Sequence, residues 1–350
     1  MPASDREDQR PLPEIDIGAF LTDEGTVGAQ ECVEKLRGAC HGPGFCYLVN
    51  HGIDGDLEAQ VLNTTRRFFD LPESDRLAIR NTKSAQFRGY TRLGMERTNN
   101  VRDWRDQIDF GPERDVVPVG PDDPLWLRLH GPNQWPPALP DMQDGMLLWM
   151  DQMSKLGTRV LRALALGLGQ QKNYFDYLTG QDPEFLLKVI RYPHVPGESG
   201  QGVGLHQDSG LLTFILQDGV SGLEVGIGND TVKVEPRSGS MIMNLGEMLQ
   251  IATGGYLRAT KHRVVMPPEG SERISLAYFV NPALEASVVP VPLPIELALD
   301  AVGGENTDPD DPVFSVYGAN KLKFRARSHP DVAAIHYPEL VDLNGQGIER

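Results

Sequence analysis

The chain has 350 residues, 40% hydrophobic and 23% charged, enough apolar material for one large domain or two ordinary ones around a buried core. Its 49 acidic residues against 33 basic ones leave a net charge of −16, which disfavours nucleic acid and anionic membranes as partners because both are densely negative. No apolar run reaches the roughly 18 residues that cross a bilayer, and the polar start of the chain lacks the apolar centre of an export signal.

Residues 1 to 13 read as a loose arm. A helix is expected from Val27 to Cys40, stopped by Gly42-Pro43-Gly44. It contains Cys32 and Cys40, which with Cys46 form a set with neither disulfide nor zinc spacing, so free thiols in a reducing cytoplasm are expected. A buried strand follows at Phe45–Val49, then a helix from Asp56 to Asp70 with Leu57, Val61, Leu62, Phe68 and Phe69 near helical spacing, and a shorter helix after Leu71-Pro72-Glu73. His51 is read as a turn residue bonded locally. Residues 81–140, rich in Gly, Pro, Asn and Arg, lack periodicity and read as binding loops or a lid. A long helix is expected from Asp141 to Leu168. Its Met and Leu stripe is read as core packing.

After Pro183 the pattern changes to short strands: Leu186–Tyr192, Leu211–Leu216, Leu223–Val225, Thr231–Val234, Ser240–Asn244, His262–Met266 and Arg273–Val280. Helices first and strands second give an α+β layout, an antiparallel sandwich or barrel with helices packed on it. The regions 1–140, 141–290 and 291–350 read as parts of one fold, since no flexible linker divides them. The tail from about Glu296 is acidic, then helical over about Val316 to Arg327, with Lys321, Lys323, Arg325 and Arg327 taken as a solvated face. No exposed apolar helix stands out, so a monomer is expected.

Among the eight histidines, His206 stands two residues before Asp208. On an extended strand such residues share a face, with about 7 Å between their Cα atoms, a gap one metal ion bridges. His262 opens a later β-rich stretch after Gly254-Gly255 and supplies a third ligand. Two imidazoles and one carboxylate leave half of an octahedron open, the arrangement of non-haem Fe(II) oxygenases. Arg273 and Ser275, eleven and thirteen residues on, share a strand face and form a carboxylate clamp: a planar guanidinium fork and a hydroxyl. Tyr192 is placed to add a hydrogen bond from a neighbouring strand. Phe279 continues the same face toward a substrate pocket, and Arg88, Tyr90, Arg92 and Arg97 are candidate substrate contacts from the loop region. A zinc hydrolase with a His/Asp/His site is the rival from another class, weakened by the lack of an H-E-x-x-H helix.

These motifs stand among others in a fixed order: Gly44-Phe45-Cys46-Tyr47-Leu48-Val49-Asn50-His51-Gly52, Phe68-Phe69-Asp70-Leu71-Pro72, Arg88-Gly89-Tyr90, His130-Gly131-Pro132-Asn133, His206-x-Asp208-x-Gly210, Asn244-Leu245-Gly246-Glu247-Met248-Leu249-Gln250, His262-Arg263-Val264 and Arg273-x-Ser275. From Pro13 to about Pro282 the chain resembles the isopenicillin N synthase-like branch of the 2-oxoglutarate- and Fe(II)-dependent dioxygenases. It departs from the usual pattern at Gln207, where Thr is common, and at Glu247, where Asp is common. The resemblance implies a distorted double-stranded β-helix (jelly roll) with N-terminal and flanking helices. It also implies Fe(II) on His206, Asp208 and His262, and 2-oxoglutarate on Arg273 and Ser275 with Tyr192 as helper. The implied reaction is oxidation of a small-molecule substrate by O2 with release of succinate and CO2. Members of the branch that use no 2-oxoglutarate place their substrate's carboxylate on the same Arg and Ser, which leaves an isopenicillin N synthase-type oxidase as the alternative.

Overall fold

The computed structural model describes residues 12–180, 183–198, 201–303 and 313–342; the expected arm up to residue 11 and the acidic stretch 304–312 lie outside them. The strands are β1 (Glu14–Asp16), β2 (Phe45–Val49), β3 (Gly89–Thr91), β4 (Arg97–Thr98), β5 (Val101–Arg102), β6 (Asp106–Phe110), β7 (Glu184–Pro193), β8 (Gln201–His206), β9 (Leu212–Gln217), β10 (Leu223–Ile227), β11 (Asp230–Val234), β12 (Ser240–Leu245), β13 (His262–Val265) and β14 (Glu272–Asn281). An eight-stranded sheet runs β1-β2-β12-β9-β14-β7-β6-β3, and a four-stranded sheet runs β11-β10-β13-β8. Every pairing is antiparallel except that of β1 with β2. With helices packed on the large sheet, the architecture is the α+β jelly roll expected.

Period-two alternation divides the core in two. On β14, Ile274, Leu276, Tyr278 and Val280 join the cluster shared with the helices, while Arg273, Ser275, Ala277 and Phe279 face a cavity between the sheets. On β7, Leu187 and Val189 face the helices, and Leu186, Lys188, Ile190 and Tyr192 face the cavity. The long helix Met142–Gly167 covers the outer face with Met146, Trp149, Met150, Met153, Leu156, Val160, Leu161 and Leu164 buried, the packing role its stripe implied. Trp149 meets Tyr278 edge-on at 5.9 Å.

The N-terminal elements follow the sequence signals closely. The helix Val27–His41 is capped by Thr26, whose hydroxyl accepts from Ala29 N at 3.1 Å, and gives way to Gly42-Pro43-Gly44, where Gly44 takes φ +68. The helix Gly55–Phe69 begins at Asp54, and a short one spans Glu73–Leu77. His51 accepts from Ile53 N at 3.3 Å, the local bond expected. All three cysteines are buried and free.

Three expectations need correction. Residues 81–140 are not all irregular: β3 and β6 extend the large sheet, and β6 is buried at every position. The β4–β5 hairpin turns on Asn99 and Asn100, both at positive φ, a turn chemistry suited to two-residue hairpins. His206 and Asp208 do not lie on one strand: β8 ends at His206, and Asp208 forms a separate parallel bridge with Gly246. Of the basic stretch of the C-terminal helix Tyr317–Ser328, expected as a solvated face, only Arg327 is exposed. Lys323 is 7% exposed over the Phe314 and Phe324 rings, and Arg325 is 6% exposed where the helix lies against the cavity with Tyr317, Lys321, Phe324, Arg325 and Ser328 on that side at helical spacing.

Candidate metal centre and cavity

The cavity between the sheets has a volume of about 890 Å³ and contains both the His/Asp/His group and the Arg/Ser pair. β13 and β8 pair so that His262 stands directly across from His206, with ring centroids 4.3 Å apart. Asp208 is held beyond the end of β8 by its bridge to Gly246. The bridge depends on glycine, since a Cβ on Gly246 would lie 2.2 Å from the Gly210 carbonyl oxygen. Nε2 of His206 and Nε2 of His262 lie 3.5 Å and 3.7 Å from the same Asp208 oxygen, Oδ1. The donor atoms of all three residues fall within 4.8 Å of one another, a group that can hold one metal ion.

The surrounding bonds leave those atoms available. Nδ1–H of His206 donates to the Gly204 carbonyl at 2.8 Å and that of His262 to the Thr260 carbonyl at 3.1 Å. A carbonyl only accepts, so each ring keeps a proton on Nδ1 and turns Nε2, the nitrogen that ligates once unprotonated, toward Asp208. Oδ2 of Asp208 accepts from the Thr213 hydroxyl at 2.5 Å and from Asn244 Nδ2 at 2.7 Å, leaving Oδ1 for a metal. Burial alone would raise the Asp208 carboxyl, but His262, His206 and Thr213 outweigh it and hold it well below its usual range. Burial, then His206, lowers His262 to about 4, so its imidazole is neutral and ready to ligate. For His206, the hydrogen bond and charge of Asp208 overcome burial and raise it. Two neutral-capable imidazoles, one ionised carboxylate and their buried supports are a donor set suited to Fe(II).

Arg273 is 1% exposed, with Nη1 donating to Ser275 Oγ at 3.2 Å and Nη2 to Gln217 Oε1 at 3.0 Å. Its guanidinium lies 5.0 Å from the Tyr192 ring centre, its partner across β14 and β7. Among the described residues no carboxylate lies within 4 Å of it, its Nε is buried without a partner, and burial lowers it from the ordinary arginine value. A buried cation with no carboxylate in contact, steadied only at a distance by Asp218, is poised to take an anion from outside.

Tyr192, Ser275 and Phe279 line the same cavity. Of the four loop candidates only Arg97 does. Arg88 instead staples carbonyls of Pro112 and Gly131 at 2.6 and 2.8 Å, Tyr90 donates to Asp106 at 2.9 Å, and Arg92 pairs with Glu73 at 2.7 Å on the surface. Sequence reasoning gave no role to Thr213, Gln217 and Asn244, although Thr213 and Gln217 are the two polar residues of the otherwise apolar β9 and Asn244 interrupts the apolar run of β12, which is a readable signal. It also missed Lys188 and Arg105 in the cavity wall. Gln207 bonds to the Ala259 carbonyl, and Glu247 meets Asp208 through its backbone N–H at 2.7 Å.

The family described as non-haem dioxygenase in morphine synthesis N-terminal matches residues 12–138, and the 2OG-Fe(II) oxygenase superfamily matches residues 183–282. The chain is 34% identical over 288 residues to Homoarginine-6-hydroxylase 2-ODD-C23.2 of Arabidopsis thaliana, covering 80% of each chain. It is 32% identical over 318 residues to a 2-oxoglutarate-dependent dioxygenase of Dothideomycetidae sp., covering 85% of each. The crystal structure of a full-length Neurospora crassa protein in complex with alpha-KG, which is 2-oxoglutarate, superposes with a TM-score of 0.68 at 27% identity over 80% of this chain and 88% of that one. Taken with the geometry, these matches make the chain a member of the 2OG-Fe(II) oxygenase superfamily, an Fe(II)- and 2-oxoglutarate-dependent dioxygenase that oxidises a small molecule.

Proposed function

We propose that His206, Asp208 and His262 hold the iron and that Arg273 and Ser275, with Gln217 and Tyr192 beside them, hold the distal carboxylate of 2-oxoglutarate. The observation that carries the assignment is that Nε2, Nε2 and Oδ1 converge while every other polar atom of those side chains is occupied by a protein partner. Iron(II) bound with 2-oxoglutarate supplies the oxidising power, reducing O2 while 2-oxoglutarate becomes succinate and CO2 and the substrate is oxidised. The chain supplies position. The Gly204 and Thr260 carbonyls fix the imidazole planes, and Thr213 and Asn244 keep one carboxylate oxygen away from the metal. Ile190, Val203, Ile215, Leu223 and Val264 wall the interior and limit water around the reacting groups.

Homoarginine, named for several relatives, carries both a guanidinium and a carboxylate; the cations lining this cavity suit only the second, and that substrate is not carried over. The buried free thiols support a reducing compartment such as the cytoplasm. No helix among the described residues is long and apolar enough to cross a membrane. We take the chain as a monomer without a nucleic-acid or membrane partner. Ile295, which opens the four-residue helix Ile295–Ala298, and Leu299 just after it are exposed. Succinate and CO2 measured against O2 uptake test the assignment: uptake should need both iron and 2-oxoglutarate and vanish in Asp208→Ala, and full-rate uptake without 2-oxoglutarate would favour the isopenicillin N synthase-type alternative.

A further inference from the structure

The molecule carries a net charge of −16, yet among the described residues its cavity is lined by eight lysines and arginines against two carboxylates, Asp208 and Glu247. One cation, Arg273, belongs to the co-substrate clamp. Others gather elsewhere along the cavity, and strand register places them. Tyr192 pairs with Arg273, and Lys188 pairs with Ala277, so Lys188 is four residues from the clamp row, about 13 Å along β7. Asp208 bonds to Thr213, which pairs with Phe279, the next cavity-facing row beyond Ala277. The metal centre therefore lies near the Lys188 row.

The cations here are built in. Lys188 is 8% exposed, donates to Glu96 at 2.8 Å and lies 3.5 Å from Asp109. Arg325, reaching in from the C-terminal helix, bonds through Nη2 to Asp109 and the Phe87 carbonyl. Arg105 pairs with Glu96 at 3.1 Å and Asp103 at 3.3 Å, and Lys321 pairs with Glu184. Glu96, Asp103, Asp109 and Glu184 do not line the cavity. Burial would raise the Glu96 carboxyl, but Arg105, Lys188 and His329 hold it well below its usual range, so it stays ionised and sustains the cations in front of it. The cavity wall thus shows ammonium and guanidinium groups, backed by carboxylates that fix them without covering them. Arg97 at the rim has no carboxylate partner among the described residues; it bonds only to the Asn100 carbonyl at 3.4 Å. A cationic substrate group would meet like charge here, and a carboxylate would gain charge-assisted hydrogen bonds that a neutral group makes only weakly. Leu186, Phe279 and Phe324 offer apolar surface for the rest of the molecule.

We infer that the substrate is a small carboxylic acid whose carboxylate is seated on Lys188 and Arg325, at the end of the cavity away from the Arg273 clamp. This rests on the assignment of the metal centre and clamp above, and the test reads the two separately.

The probes are two charge series of matched shape: phenylacetate, phenylacetamide and phenethylamine, and butyrate, butyramide and butylamine. Each is titrated by calorimetry into the full-length protein loaded with Zn(II), which is redox-inert, and saturated with 2-oxoglutarate so that the clamp is filled. At least one acid should bind ten or more times tighter than its amide and amine. Lys188→Met should cancel that preference and Lys188→Arg should keep it, both with 2-oxoglutarate affinity unchanged. Lys188→Met leaves Glu96 with Arg105 and Asp109 with Arg325, and if it nevertheless fails to fold, Arg97→Met at the rim should weaken acid binding and leave amide binding as it was. An amide or amine that binds as tightly as its acid overturns the inference. So does failure of both acids to bind protein that still takes up 2-oxoglutarate, or an undiminished preference in the folded variants. Loss of 2-oxoglutarate binding in the unaltered protein would instead refute the clamp.

Discussion

Replacing Arg273 by methionine separates a clamp from a structural pillar. The unbranched side chain is shorter and carries no charge. In the protein alone, the substitution removes two hydrogen bonds, to Ser275 and Gln217, each contributing about 1 kcal/mol. It also removes a buried cation that no carboxylate within 4 Å compensates among the described residues, and these effects oppose one another. The stability of Arg273→Met without 2-oxoglutarate should therefore stay close to that of the parent protein. With 2-oxoglutarate the balance changes. Two guanidinium hydrogen bonds to a carboxylate contribute about 1.5–3 kcal/mol each, so their loss raises Kd by roughly two to four orders of magnitude. The assay is thermal unfolding of metal-loaded protein over a 2-oxoglutarate titration. At a hundredfold excess over its Kd the ligand stabilises the parent by about 2.7 kcal/mol. At the same concentration the variant should show almost none of this. Arg273→Lys should rescue little, because a point charge on a shorter stem does not reproduce the fork. A variant that keeps the full increment, or one that unfolds in the absence of 2-oxoglutarate, would refute the reasoning.

Other residues give further expectations. Thr213→Val keeps shape but removes the hydroxyl on Asp208 Oδ2, and should weaken metal binding about 10- to 100-fold in a chelator competition while the fold persists; unchanged affinity would remove Thr213 from the support of the centre. Gly246→Ala places a Cβ 2.2 Å from a backbone oxygen that cannot move freely, so it should displace Asp208 and abolish tight metal binding more completely than it lowers Tm. Burial, then Asp54, raises the Glu58 carboxyl to about 7, so the folded state binds a proton that the unfolded state has already released, and stability falls as pH rises from about 4.5 to 7. Glu58→Gln should therefore raise Tm at pH 8 and lose that advantage by pH 5, and an equal effect at both values would contradict the assignment.

Much of the site was legible because its signals are local. His206-x-Asp208 and Arg273-x-Ser275 each hold two site residues within three positions of the chain, and the Gly42-Pro43-Gly44 stop marks the end of its helix within a residue or two. The shared face of His206 and Asp208 was reached by an inexact route. The strand ends between them, and what aligns Asp208 is Gly246, 38 residues away and able to approach only because it lacks a side chain. The cation wall was hidden for a related reason. Lys188 and Arg325 have their partners at Glu96 and Asp109, separated by 79 residues or more, and a charge whose partner is far along the chain looks like a surface charge. Strands β3 and β6 escaped because short buried strands carrying Gly, Thr, Asp and Gln lack an apolar alternation to read.

The most direct test of the central assignment is anomalous diffraction at the iron edge from crystals grown without oxygen in Fe(II) and 2-oxoglutarate. One iron peak bonded at once to His206 Nε2, His262 Nε2 and Asp208 Oδ1, with 2-oxoglutarate reaching from it to Arg273, is the expected result. Iron bound elsewhere, or bonded to fewer than these three side chains, would contradict it.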